Sequence, residues 1–213
     1  MYGMVHTLII IMYALSISSR YGSNPGPRHI EFLKHLLKYC KYAKLDRLNF
    51  ATHDGLTDMK TMTQVLRLKF QCDVDLGGNQ DNGHSQTSYI GYLGESVICW
   101  CSTDEGSVST STAESEIKAV NHTLKAEVIS NRGIMNARGW MQQPTIIEKD
   151  NQACVYDKAK HMTRNLCHLE LAQLWFKEKV ADGTCIIEKV DSKENNSDIN
   201  VFLNSSSTIL PII

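Results

Sequence analysis

Two glutamates, Glu114 and Glu116, open the stretch STAESEIKAVNHTLKAEV. Ile117, Val120, Leu124 and Val128 follow at spacings of three and four, the apolar stripe of an amphipathic helix. Glu116 precedes Ile117 by one residue and Val120 by four, which turns its carboxylate toward the core. Ser111 or Thr112 can cap the helix start, with Glu114 or Glu116 at the positive end of the dipole. Three further acids fall at telling places: Asp73 in CDVD and Asp150 in KDNQ at strand ends, and Asp198 in NNSDI after the last strand. Carboxylates brought together repel, by roughly 1 kcal/mol per pair at ~4 Å in water and ~4 kcal/mol at a protein-like dielectric. Hard divalent ions with oxygen ligands relieve that repulsion, and Mg²⁺ keeps several waters for a substrate to displace. Two such ions clamp the attacking and leaving oxygens of a phosphodiester in an in-line displacement. Taken singly, each acid reads as a surface residue or a cap. The joint pattern points elsewhere, because two of the four close apolar strands that leave their side chains no free choice of face.

The elements that must position these acids follow from periodicity. VLRLKFQCDVD alternates, with Leu66, Leu68, Phe70 and Cys72 on one face of a strand. QTSYIGYLG and ESVICWCST make two more strands around a tight turn at Gly94. The long helix comes next, then the short strand TIIEK, the helix CHLELAQLWFKEKVADG and a fifth strand, TCIIEKV. Three antiparallel strands followed by helical crossovers to two more predict an α/β fold with a mixed five-stranded sheet and flanking helices. That is the ribonuclease H arrangement, in which strands one and four are neighbours and the helix crosses them. The loop DVDLGGNQDNGH imitates a calcium-binding loop, but Gly77 and His84 stand where oxygen ligands belong.

Ahead of the sheet, VHTLIIIMYALSI has the length of a core helix rather than of a membrane span. Neither a preceding basic residue nor a small-residue cleavage site marks it as a secretion signal. SNPGP ends it, and HIEFLKHLLKYCKYAK follows as a helix with Phe32, Leu33, Leu36, Leu37 and Cys40 expected inside. Lys34, Lys38 and Lys41 line its other side, either as a solvated face or as a phosphate-facing stripe. The net charge of −1 gives no global pull toward nucleic acid, yet residues 1–60 hold 8 Lys/Arg against 4 Asp/Glu. The seven cysteines include no CxxC pair and suit a reducing compartment, so the expected location is the cytoplasm or nucleus.

CDVDLGGNQDNGHSQTSYIGYL, STAESEIKAV, EKDNQACV, CHLELAQLWFKEKVADG and NNSDI occur in one order over about 125 residues. Together they resemble the ribonuclease H domain of copia-type LTR retrotransposon Pol polyproteins. ALSISSRYGSNPGPRHIEFLKHLLKYCKYAK is similar to the tail of that family's reverse transcriptase. The resemblance implies catalytic, metal-binding carboxylates at Asp73, Glu116, Asp150 and Asp198, with Asp75 and Glu114 as second choices. It implies Mg²⁺, or Mn²⁺ in its place, and hydrolysis of the RNA strand of an RNA–DNA hybrid. The alternative is an inactive retroelement remnant or nucleic-acid-binding module. The sequence departs from the family at Leu76, at Cys167, around Lys149 and after Asp198. The implied organisation is a helical reverse-transcriptase remnant over 1–50, a ribonuclease H-like unit over 51–203 and an unstructured tail over 204–213. The first helix would then pack against a polymerase domain, and the lysine stripe would contact hybrid phosphates.

Overall fold

The computed structural model describes residues 9–42, 66–79, 81–150 and 167–197, with the side chains of 167–173 left out. Asp198, residues 51–65 and the tail 204–213 lie outside the described residues. Five strands form one sheet: β1 (Leu68–Asp75), β2 (Gln86–Leu93), β3 (Ser96–Asp104), β4 (Thr145–Lys149) and β5 (Cys185–Lys189). Their order is β3-β2-β1-β4-β5. β1, β2 and β3 pair antiparallel, while β4 runs parallel to β1 and β5 parallel to β4. This is the mixed ribonuclease H sheet that the strand and helix pattern predicts.

Local chemistry explains the hairpins. Gly94 turns β2 into β3 with φ at 60°, a left-handed backbone that costs a glycine little. At Gly91 a Cβ would sit 2.5 Å from both the Cys99 sulfur and a Phe70 ring carbon, so only a bare backbone fits between those side chains. The β2–β3 register slips just after it, between Gly91 and Tyr92.

The long helix is α3 (Thr112–Thr123), a π turn (Leu124–Val128) and α4 (Ile129–Ala137) in unbroken succession. Residues at i, i+4 and i+8 drift around an α-helix, and the wider π turn brings Val128 back over the stripe of Val120 and Leu124. Those three pack with Leu68, Phe70, Cys72, Tyr89, Ile147 and Cys185 in the main core. The helix α5 (Cys167–Ala181) adds Trp175, Phe176 and Val180 to the same core.

A 3-10 turn (Ile9–Ile11) and α1 (Met12–Arg20) precede α2 (Pro27–Tyr42). Within this chain α1 packs against β3. Ile11, Ala14 and Leu36 form a second, small core there, flanked by Phe32, Tyr39 and Cys40. The expectation that Leu33 and Leu37 face inward fails: they are 43% and 62% exposed. One neighbouring helix covers only a narrow stripe, and α2 gives it Phe32, Leu36, Tyr39 and Cys40, leaving Leu33 and Leu37 beside it. Lys34, Lys38 and Lys41 are exposed, and no helix among the described residues is long and apolar enough to cross a membrane.

Candidate metal and active site

The parallel pairing of β1 with β4 sets the geometry. Gln71 lies opposite Glu148 in that register. Asp73 and Asp150 each lie two residues further on, so the two strands deliver them side by side. Helix α3 packs across β1 and brings Glu116, 4% exposed, over the same end. One carboxylate oxygen from each of Asp73, Glu116 and Asp150 lies within 4.8 Å of the others. Asp198 is outside the described residues, although Ser197 before it is fully buried.

The two glutamates of α3 have different work. Ser111 caps the helix, its hydroxyl accepting from the Glu114 N–H at 3.2 Å. The Glu114 carboxylate reaches back to accept from the Thr110 N–H at 2.8 Å and the Thr110 hydroxyl at 2.7 Å. Its other oxygen pairs with Lys118 at 2.9 Å. Burial pushes its pKa up, but Lys118 and the two Thr110 bonds outweigh that and hold it below the usual carboxylate range. Glu114 is therefore a cap, and Glu116 alone of the pair faces the sheet. Asp75, the other second choice, bends over the next turn, where a Cβ on Gly78 would meet its carboxylate at 2.2 Å.

Residues that the motif reading missed complete the surroundings. Lys149 is fully buried and forms an ion pair with Glu116. The alternation of TIIEK carried the signal, since Thr145, Ile147 and Lys149 share the buried face of β4. The Ser192 hydroxyl donates to Asp150 at 3.0 Å. Beyond β5, residues 191–197 lace the sheet together. Gln71 donates to Glu148 at 2.8 Å and to the Glu194 carbonyl at 3.1 Å, and accepts from the Asn196 N–H at 3.1 Å. Ser88, which lies opposite Asp73, donates to the Ser197 carbonyl at 2.6 Å.

The donor set is all oxygen and carries three negative charges against the single positive charge of Lys149. It fits a hard divalent cation. The cluster could therefore hold a metal ion.

No family model matches the chain. It is 29% identical over 200 residues to a retrovirus-related Pol polyprotein from transposon TNT 1-94 of Nicotiana tabacum, covering 93% of this chain and 14% of that one. The chain is homologous to transposon Pol polyproteins. A second relative, the retrovirus-related Pol polyprotein from transposon RE1 of Arabidopsis thaliana, is 25% identical over 194 residues, covering 88% of this chain and 12% of that polyprotein. This homologue thus spans only about one-seventh or less of the lengths of the Pol polyproteins it matches. Among solved structures it is similar to ribonuclease H1 of Halobacterium salinarum NRC-1, with 15% identity and a TM-score of 0.44 over 66% of this chain and 99% of that one. It is also similar to LC11-RNase H1 in complex with an RNA/DNA hybrid, with 12% identity and a TM-score of 0.43 over 61% of this chain and 89% of that one.

Proposed function

We propose that this chain is a retrotransposon-derived ribonuclease H-like unit, of the copia type, that hydrolyses the RNA strand of RNA–DNA hybrids with Mg²⁺, or with Mn²⁺ in its place. The observation that carries the reading is the convergence of Asp73, Glu116 and Asp150 from a strand, a helix and a second strand onto one point. Asp198 is the proposed fourth ligand. Its support is its resemblance to the family's last acidic motif and the anchoring of Ser197 to Ser88, across the sheet from Asp73. When bound, two divalent ions would neutralise charge on the scissile phosphate and activate a water for in-line attack. The protein's own task is positional. The β1–β4 register fixes Asp73 against Asp150, the core under α3 holds Glu116 buried, and Ser192 orients Asp150. Precision of this kind matters because misplacing a reacting group by ~1 Å can cost on the order of 10²-fold in rate.

Lys34, Lys38 and Lys41 are the proposed contacts to hybrid phosphates upstream of the cut. The exposed apolar residues beside them, Ile30, Leu33 and Leu37, suit the polymerase portion of a Pol polyprotein. Residues 1–50 are on this reading reverse-transcriptase derived and 51–203 the nuclease unit, working in the cytoplasm or nucleus. A second reading, a nucleic-acid-binding remnant without turnover, draws on the pairing of Glu116 with Lys149. Incubation with a labelled RNA–DNA hybrid, with and without Mg²⁺, separates the two. Metal-dependent cleavage that Asp150→Asn abolishes supports the nuclease; binding without cleavage at any metal concentration supports the remnant.

A further inference from the structure

Lys149 is the one buried Lys or Arg among the described residues, and it pairs with a member of the three-acid cluster. It extends the inward face of β4 beyond Ile147, and its ammonium meets Glu116, whose own side chain is 5% exposed. The position directly after it is Asp150, another member of the cluster. A buried lysine there is not a neutral spacer. It is an ammonium on a flexible stem, paired with Glu116 and delivered by the same strand end that delivers a metal ligand.

We propose that Lys149 is a tethered cation that competes with divalent metal for Glu116, so that full metal occupancy requires the lysine to give up its partner. The inference rests on the reading of Asp73, Glu116 and Asp150 as metal ligands. Charge arithmetic among the described residues supports it: the three acids carry −3, Lys149 restores +1, and a single divalent ion neutralises what these four side chains leave. A further ion that takes Glu116 must offset a lysine left in the interior without its acid, which is costly. Conversely, without metal the lysine holds the acids together against their repulsion. Lys149 is thus a positioning residue for Glu116 and a determinant of metal affinity, setting a threshold of metal concentration below which the site stays incomplete.

The test is Mn²⁺ binding, followed by the electron paramagnetic resonance signal of the free ion, in the full chain and in Lys149→Met, which keeps the length and apolar stem and removes the charge. The Met variant is expected to bind Mn²⁺ tighter by on the order of tenfold or more. It should also melt lower than the parent without metal and gain more in Tm when saturated. Equal or weaker binding by Lys149→Met overturns the proposal. Should the Met variant not fold, the parent carries the test: the Lys149 Cε resonance, assigned through the Glu148–Asp150 backbone, is expected to shift along a Mg²⁺ titration. A resonance unmoved at saturating Mg²⁺ overturns the proposal. Absence of Mn²⁺ binding by either protein overturns the metal site and this inference together. Tighter binding by the variant without hybrid cleavage by either protein supports the inference and overturns only the proposed hydrolysis.

Discussion

Two charged clusters cap the same sheet, and they are balanced differently. On the β2–β3 side, at the strand end where Gln86 lies opposite both Asp75 and Asp104, Arg20 from α1 donates to Gln86 and pairs with Asp104 at 3.0 Å. Gln86 also donates to the Ser16 hydroxyl at 2.7 Å and the Ser102 hydroxyl at 2.8 Å. Asp104 additionally faces His84 at 3.3 Å and Asn79 at 3.4 Å. Here the acid has a cation and donors around it, and the result is a joint between the N-terminal helix and the sheet. On the β1–β4 side, three carboxylates share one buried lysine. The first cluster matches its acid with a cation from within the chain; the second has a surplus of negative charge that a divalent ion would match. The contrast separates a structural polar network from a candidate reactive one more sharply than the presence of acids does.

The largest effect that would break this contrast is at the acid-rich cluster. Asp150→Asn keeps the shape and removes one charge, and hybrid cleavage should fall by at least about 10²-fold while the circular dichroism spectrum stays unchanged. Equal cleavage by parent and variant in Mg²⁺ would sink the assignment. At the balanced cluster the effect should instead be on stability. Arg20→Ala leaves Gln86 and Asp104 short of a charged donor and should cost about 1–3 kcal/mol in urea unfolding. A loss near zero would mean that this polar joint contributes nothing to the stability of the fold.

Smaller effects sharpen the distinction between the two glutamates of α3. Glu114→Gln should cost about 1 kcal/mol, the usual worth of a cap, and leave metal binding intact. Its folded pKa is held below the ordinary 4.5, so its contribution is full above that value and fades as pH falls through the folded pKa. Parent and variant unfolding curves should therefore converge on acidification below about pH 4.5. Curves that stay parallel would show that the Glu114 charge carries none of the cap. The smallest expected change is on the exposed lysine stripe. Replacing Lys34, Lys38 and Lys41 with Gln should lower the log–log salt slope of hybrid binding by about one unit per lost contact. An unchanged slope would leave the stripe a solvated face.

Much of this protein is legible without its fold. Alternation in LKFQCDVD and TIIEK, and the stripe from Ile117 to Val128, determine strands and helix because side-chain period follows backbone geometry. The same periodicity aims Glu116 inward and puts Asp73 and Asp150 at strand ends. Their meeting within 4.8 Å required the parallel register of β1 on β4, which is a long-range choice between distant segments. The separate fate of Glu114 was likewise decided in three dimensions, where Thr110 and Lys118 close around it. So was the exposure of Leu33 and Leu37, because an apolar pattern records the capacity to be buried and only a neighbouring surface can use it. Lys149 stands between the two. Its inward direction is written in the alternation of TIIEK, but a lysine becomes a buried counter-charge only when another element brings an acid to its ammonium.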